Sequence, residues 1–374
     1  MISYWEKESF VNYDFIVVGS GIVGLTAAIE YKEAHPKEKV LIIEKGILPS
    51  GASTKNAGIA CFGSLTEICD DLENIPSSKV LETIENRYRG LQKLRNRLGD
   101  KNFDFQQLGG YELITDQQKD YLDRTSEINK MLYPIFNDNV FSTANEKIGS
   151  FGFRHQTVKH LLFNQFEGQI HTGKMMKGLI DLARSIDIEI ITGTEVIDFI
   201  DDGDRVIINC KNQFQKVDFY AEKISICVNA YAKKLLPQLE VSPGRGQVLM
   251  TNPIKNLPIK GTFHMDRGYY YFRNVGNRIL LGGGRNLDYE GETTTTIKTS
   301  PHIINHLKLL LKEVILPNTP HQINMTWAGI MAFGDQKVPI VKLLSDRIAI
   351  GVRMGGMGVA IGSEVGKEIN SLLD

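Results

Sequence analysis

Three observations in the sequence predict an α/β protein, a doubly wound parallel sheet carrying an inserted α+β region on a mostly antiparallel sheet. Residues 13–45 alternate strand, helix and strand. Residues 174–229 and the tail 338–374 have the same α/β character. Between them, residues 241–285 turn β-rich and aromatic.

The elements follow in chain order. YDFIVVGS is an apolar run of strand length, Gly21 to His35 has helical periodicity, and KVLIIEKG at 39–46 is a second buried strand. Together they make a β-α-β unit, the start of a parallel sheet. From about 80 to 133 charged helices such as ENRYRGLQKLRNRL surround a strand at GGYELIT, 109–115. A helix KMMKGLIDLARSI, a strand IEIITGTEVIDFI, a hairpin and a strand ISICVNA come next. GRGQVLMT and the hairpin GYYYFR–NVGN–RILLGGG follow. Strands PIVKLL and RIAIGV, a glycine turn and a closing helix end the chain.

Composition excludes several classes. The apolar 42% and charged 23% are those of an ordinary globular protein, and 374 residues suit about two domains. A net charge of −1 argues against nucleic acid and anionic membrane as partners. No run reaches the roughly 18 apolar residues of a membrane span. Glu6, Lys7 and Glu8 stand where a secretory leader would be basic and then apolar, so a cytoplasmic protein is expected. The four cysteines (Cys61, Cys69, Cys210 and Cys227) form no C-x-x-C, which argues against a zinc site or a disulfide framework.

The pattern Gly19-x-Gly21-x-x-Gly24 follows an apolar strand and opens a helix, and the acid Glu44 ends the next strand twenty residues after Gly24. Those four conditions together make a dinucleotide fingerprint. Gly19 allows a tight turn, Gly21 lets a pyrophosphate approach backbone N–H groups, and Gly24 lets helix and strand pack closely. The positive helix end faces the phosphates, and the Glu44 carboxylate accepts ribose hydroxyls. The alternative is a β-α turn without a ligand. The only other triple-glycine run, LGGGRN at 281–286, leads into DYEGE rather than a helix, which argues against a separate nicotinamide domain.

GASTKNAG at 51–58 resembles the segment that follows the ribose-binding acid in the D-amino-acid oxidase superfamily of FAD enzymes, which includes glycine, sarcosine and glutamylputrescine oxidases. EGQIHTGKMMKGL, TGTEVIDF, VSPGRGQVLMT, GYYYFRNVGNRILLGGGR, TWAGIMAFGDQKVPIV and VRMGGMGVAIGSEVGKEI resemble further family segments, in order, over residues 13–370. The resemblance implies a Rossmann-type FAD-binding domain over 1–79, 160–240 and 324–374, with a substrate domain over 80–159 and 241–323. It implies that Gly19, Ser20, Gly21, Ile22, Val23 and Gly24 hold the pyrophosphate, and Glu44 and Lys45 the adenosine ribose. Ser53, Thr54, Asn56, Ala57 and Gly58 would line the pyrophosphate and flavin. Val196 would meet the adenine side, and Asn229 and Ala230 would pass near the cofactor. Gly355, Gly356, Met357, Gly358 and Val359, opening the last helix, would reach the flavin, the alternative being a helix packed through small residues. No cysteine lies in 322–341, where covalent members attach the flavin, so non-covalent FAD is implied.

On the substrate side the chain departs from the pattern. Family members that oxidise amino acids carry an arginine after W-x-G, but Trp327-Ala328-Gly329-Ile330 is followed by Met331. N-A-Y at 229–231 and M-G-G-M-G-V-A-I resemble the amine-oxidising branch instead. Arg353 is a candidate substitute for the clamp. Alternation places Tyr269, Tyr271 and Arg273 on one face and Tyr270 and Phe272 on the other. The expected pocket is therefore Tyr271, Arg353, Tyr269 and Met331, with no obligatory base; His171 and His264 are the nearest histidines. The resemblance implies FAD-dependent hydride removal from the C–N bond of an amine or amino acid, with oxygen or a quinone as acceptor. Two alternatives stay open. One is oxidation of a 2-hydroxy acid or glycerol-phosphate-like C–OH, favoured by Arg273, Arg353 and Lys55. The other is a flavin-binding subunit without turnover.

Overall fold

The computed structural model describes residues 2–374, and two eight-stranded sheets organise it. The first runs Ile340–Ser345, Ile348–Val352, Lys216–Ile226, Asn12–Val18, Val40–Ile43, Ile188–Ile191, and the last five of these are parallel. Side chains alternate across the strands, as in a sheet buried on both faces. Phe15, Val17, Val40 and Ile42 meet a layer of helices: Ile22–Ala34, Ser77–Leu98, Thr172–Ser185 and Gly358–Leu373. Ile16, Val18, Leu41 and Ile43 meet the opposite cover. That cover is not helical, as double winding predicts. It is the antiparallel ribbon Glu195–Asp201, Val206–Lys211 and Lys216–Ile226, which supplies Val206, Ile208 and Phe219. The single strand predicted over IEIITGTEVIDFI is two strands, Ile188–Ile191 and Glu195–Asp201, broken at Gly193, where φ is +70°. The break sends the first piece into the parallel core and the second into the ribbon.

The second sheet runs Ile323–Phe333, Ser242–Thr251, Arg278–Gly283, Tyr270–Val275, Thr262–Met265, Gly110–Ile114, His160–Asn164, Phe141–Thr143. It is antiparallel throughout except for the pair Thr262–Met265 and Gly110–Ile114. His160–Asn164 and Ile323–Phe333 therefore belong to this sheet, although the boundaries drawn at 160 and 324 put nearly all of both in the nucleotide domain. Nothing in either strand's own pattern marks the sheet it joins, because that depends on pairing partners far away in the chain. One face of this sheet packs Leu249, Phe263, Tyr270, Phe272 and Leu281 against helix Pro301–Leu310. The other face carries Val248, Thr262, His264, Tyr271 and Arg273, and turns toward the first sheet.

Gly90 sits where helix Ser77–Leu98 crosses the closing helix. A Cβ there would stand 2.3 Å from the Ala360 carbonyl oxygen. Helix propensity alone favours Gly90→Ala by about 1 kcal/mol. The backbone contact reverses the sign, so Gly90→Ala lowers stability by roughly 1–3 kcal/mol, read from chemical denaturation midpoints.

Candidate functional site

A cavity of about 1200 Å³ lies between the two sheets, and both glycine turns contribute to its wall. At the first turn Gly19 N donates to the Ile43 carbonyl at 2.8 Å, joining the turn to the neighbouring strand. A Cβ at Gly24 would lie 2.0 Å from the Gly19 carbonyl oxygen, so the helix starts hard against the strand. The helix has no side-chain cap at Gly21; Ile22 N donates instead to Ser53 Oγ at 3.0 Å. Helix N–H groups left uncapped beside a cavity are a ready anion site.

Glu44 closes this side. Its carboxylate accepts from Ser20 N at 3.0 Å, Ser20 Oγ at 2.8 Å and Gly46 N at 2.8 Å, and keeps capacity for further donors from the cavity. Lys45 also lines the wall, but its ammonium is held by Glu195 at 2.7 Å. Ser53, Asn56, Ala57 and Gly58 line the middle. Asn56 ties the loop together: its Oδ1 accepts from Gly58 N and Thr172 Oγ1, and its amide donates to Ser53 O and Ala52 O. Val196 and Asn229 complete this part of the wall.

Gly355, Gly356, Met357, Gly358 and Val359 face the same cavity. Gly355 and Gly356 have φ of +58° and +84°, a conformation that disfavours any side chain. Asn229 Oδ1 accepts from Arg353 N at 3.0 Å and Met354 N at 3.3 Å, fixing the turn's entry. The helix Gly358–Leu373 that follows has no side-chain cap.

Several expected residues stand outside the wall. Ser20 and Thr54 are turned into the loops, with Thr54 Oγ1 donating to Pro49 O at 2.7 Å. Gly24 acts behind the turn, and Ala230 is packed in the core under the sheet. Arg353 corrects a substrate expectation: its Nε donates to Val338 O at 2.9 Å and its Nη1 to Glu240 O at 3.2 Å, so it braces loops. Its φ of +66° places its backbone in the left-handed region. Arg273 also lies outside the wall, close behind Gly58, and burial lowers its pKa to about 10. His171 caps the helix Thr172–Ser185 by accepting from Lys174 N.

Tyr269, Tyr271 and Met331 do line the cavity. Burial pushes the Tyr271 phenol up to about 12, so it stays a donor at neutral pH. A Cβ at Gly246 would meet Met331 Cε at 2.8 Å and the Tyr271 oxygen at 3.9 Å, and one at Gly356 would meet Met331 Sδ at 3.5 Å. Met331 thus bridges the last glycine turn and the tyrosine face. His264 lines the wall nearby and pairs with buried Glu167 at 2.8 Å. Burial opposes its charge, but the Glu167 carboxylate prevails and holds its pKa at about 9. Glu112, on the neighbouring strand, is raised by burial although Ser64 and Thr66 donate to it. Cys61 is in the wall with Sγ 3.9 Å from Met357 Sδ, and burial pushes its thiol up, away from the reactive thiolate.

Sequence reasoning missed Tyr231, Gly246, Arg285 and Phe333, which also line the cavity. Their signal was weak: each is a single residue without a surrounding motif of its own. Among the described residues no helix is long and apolar enough to cross a membrane.

These donors and cradles fit a bound dinucleotide, with an uncapped helix and a carboxylate at the first turn and a glycine turn at the last. Comparison with known proteins agrees. Residues 14–372 match the family model described as DAO, FAD dependent oxidoreductase, and the chain belongs to that family. Glycine oxidase from Geobacillus kaustophilus (strain HTA426) is 25% identical over 276 residues, covering 72% of this chain and 70% of that protein. The fold is similar to that of L-proline dehydrogenase from P. horikoshii, with a TM-score of 0.77 at 19% identity over 97% of this chain and 93% of the other. It is also similar to L-amino acid deaminase from Proteus vulgaris, with a TM-score of 0.75 at 13% identity over 97% and 93%.

The raised pKa of His264 has a signed consequence. Stabilisation from its protonated form is complete below the unfolded pKa of about 6.5 and is lost as pH rises through about 9. Wild-type stability therefore falls across that window relative to His264→Gln, measured by urea denaturation at a series of pH values.

Proposed function

We propose that the protein is an FAD-dependent oxidoreductase that oxidises the C–N bond of an amine or amino acid. The observation that carries this reading is the single cavity that joins the first glycine turn, the last glycine turn and the Tyr271–Met331 face. FAD, when bound, supplies the hydride acceptor. A neutral amine would lose one hydride from the carbon next to nitrogen while its nitrogen lone pair becomes the second C–N bond of an iminium ion. Water hydrolyses that ion to a carbonyl compound with release of ammonia or the remaining amine. Oxygen or a quinone takes the two electrons onward.

The chain's own residues bind, orient and desolvate. The uncapped helix at Gly21 receives the pyrophosphate, and Glu44 the ribose hydroxyls. The N-terminus of Gly358–Leu373 offers N–H donors and positive potential to an anionic ring edge. Tyr271 presents a protonated hydroxyl, and Met331 and Phe333 exclude water from the reacting carbon. The buried Cys61 thiol suits a non-covalent cofactor.

Relatives named glycine oxidase, L-proline dehydrogenase and L-amino acid deaminase support a C–N substrate by analogy. The C–OH alternative rested on Arg273, Arg353 and Lys55 facing the pocket, and two of those three stand outside its wall.

Purified protein is expected to be yellow, and amines or amino acids are expected to bleach the flavin anaerobically. Bleaching by hydroxy acids alone would overturn the C–N reading. Gly21→Val places a side chain in the pyrophosphate cradle, so flavin affinity falls roughly a hundredfold while the melting transition persists, read by flavin absorbance after gel filtration.

A further inference from the structure

Arg285 stands one residue, Gly284, beyond the strand Arg278–Gly283 and lines the cavity wall. Its guanidinium carbon lies 4.2 Å from the centroid of the Phe333 ring and 5.1 Å from that of Tyr289. Aromatic rings beside the guanidinium hold its plane and leave N–H groups at its edge for an acceptor. No carboxylate reaches it among the described residues, and its Nε is buried without a hydrogen-bond partner. The neighbouring cations differ. Arg245 is paired with Glu292 at 2.7 Å, Arg267 with Asp70 at 3.4 Å, and Lys337 with Asp70 and Asp71.

The surroundings are shaped around this group. A Cβ at Gly244 would meet Arg285 Nε at 3.0 Å and the Phe333 ring at 2.4 Å, so glycine makes the room. Gly244 is the strand partner of Met331, and Gly246, two residues on, faces Met331 and the Tyr271 hydroxyl. Arg285 and the Tyr271 hydroxyl thus face glycines two residues apart on one strand face. Tyr289 donates to the Tyr269 oxygen at 2.6 Å, which leaves the Tyr269 hydroxyl proton free for another acceptor. A planar cation, a free phenol proton and a bare glycine floor together suit a carboxylate.

We propose that Arg285, assisted by Tyr269, binds the substrate carboxylate in place of the arginine that Met331 displaces, so that the substrate is an amine bearing a carboxylate. This rests on the oxidoreductase reading above and narrows its substrate class. An uncharged or polycationic amine would leave Arg285 without an acceptor beside the reacting carbon.

The test uses the flavin-loaded protein, titrated with acetate, benzoate and anthranilate, and with aniline as the analogue of anthranilate lacking its carboxylate. Perturbation of the flavin absorption band reports binding. Carboxylates are expected to shift the band, and Arg285→Met to weaken them roughly a hundredfold while aniline binding and flavin content stay unchanged. Arg285→Lys keeps the charge without the planar fork and is expected to weaken them about tenfold, which decides the matter if the methionine variant does not hold flavin. A wild-type spectrum unmoved by every carboxylate, or carboxylate affinity undiminished in the variants, overturns the role of Arg285 and leaves the flavin reading intact. Protein that takes up no flavin defeats the oxidoreductase reading itself.

Discussion

The close packing of helix Ile22–Ala34 against helix Gly358–Leu373 governs the rest of the architecture. Cβ atoms at Gly362 and Gly366 would stand 2.9 Å from Ile22 Cγ2 and 2.6 Å from Thr26 Cβ. Small residues let the two backbones approach, and both helices begin at a glycine turn. Their contact therefore fixes the first and last turns of the chain on one cavity. Packing through small residues and gripping a ligand, which stood as alternatives for the closing helix, are compatible: the first sets where the second can occur.

The second sheet divides its chemistry by face. Phe263 and Phe272 stack at 4.5 Å in the apolar layer, while Thr262, His264, Tyr271 and Arg273 turn toward the first sheet. Buried polar groups on that side need partners. Glu167 accepts from Thr262 and pairs with His264, and Arg87 donates to the Phe62 carbonyl at 2.9 Å. This layer supports the cavity from behind with charge held in place. The sheet also ties directly to the cofactor loop, where Trp327 Nε1 donates to Lys55 O at 3.0 Å.

Much of the cavity wall at the two glycine turns was legible in the sequence. The turn Gly19–Gly24, Glu44, the loop 53–58 and the turn 355–359 are local patterns whose backbone demands leave a mark on residue type. The substrate side was less legible. Arg353 looked like a clamp because it precedes a glycine turn, but two backbone carbonyls take up its guanidinium. His160–Asn164 and Ile323–Phe333 carry no local mark of the sheet they join. The ribbon covering the parallel sheet reads from sequence as ordinary strands, since a strand buried on one face looks the same in either place.

The sequence by itself determined the β-α-β start, the glycine turns and the alternation that puts Tyr269 and Tyr271 on one face, because these follow from short-range sterics and side-chain period. Tertiary structure alone decided which charged groups reach the cavity. Arg285, Arg273 and Arg353 are chemically identical in the sequence. Only the arrangement of carbonyls, carboxylates and aromatic rings from distant strands leaves one of them in the wall with its hydrogen-bonding edge unclaimed.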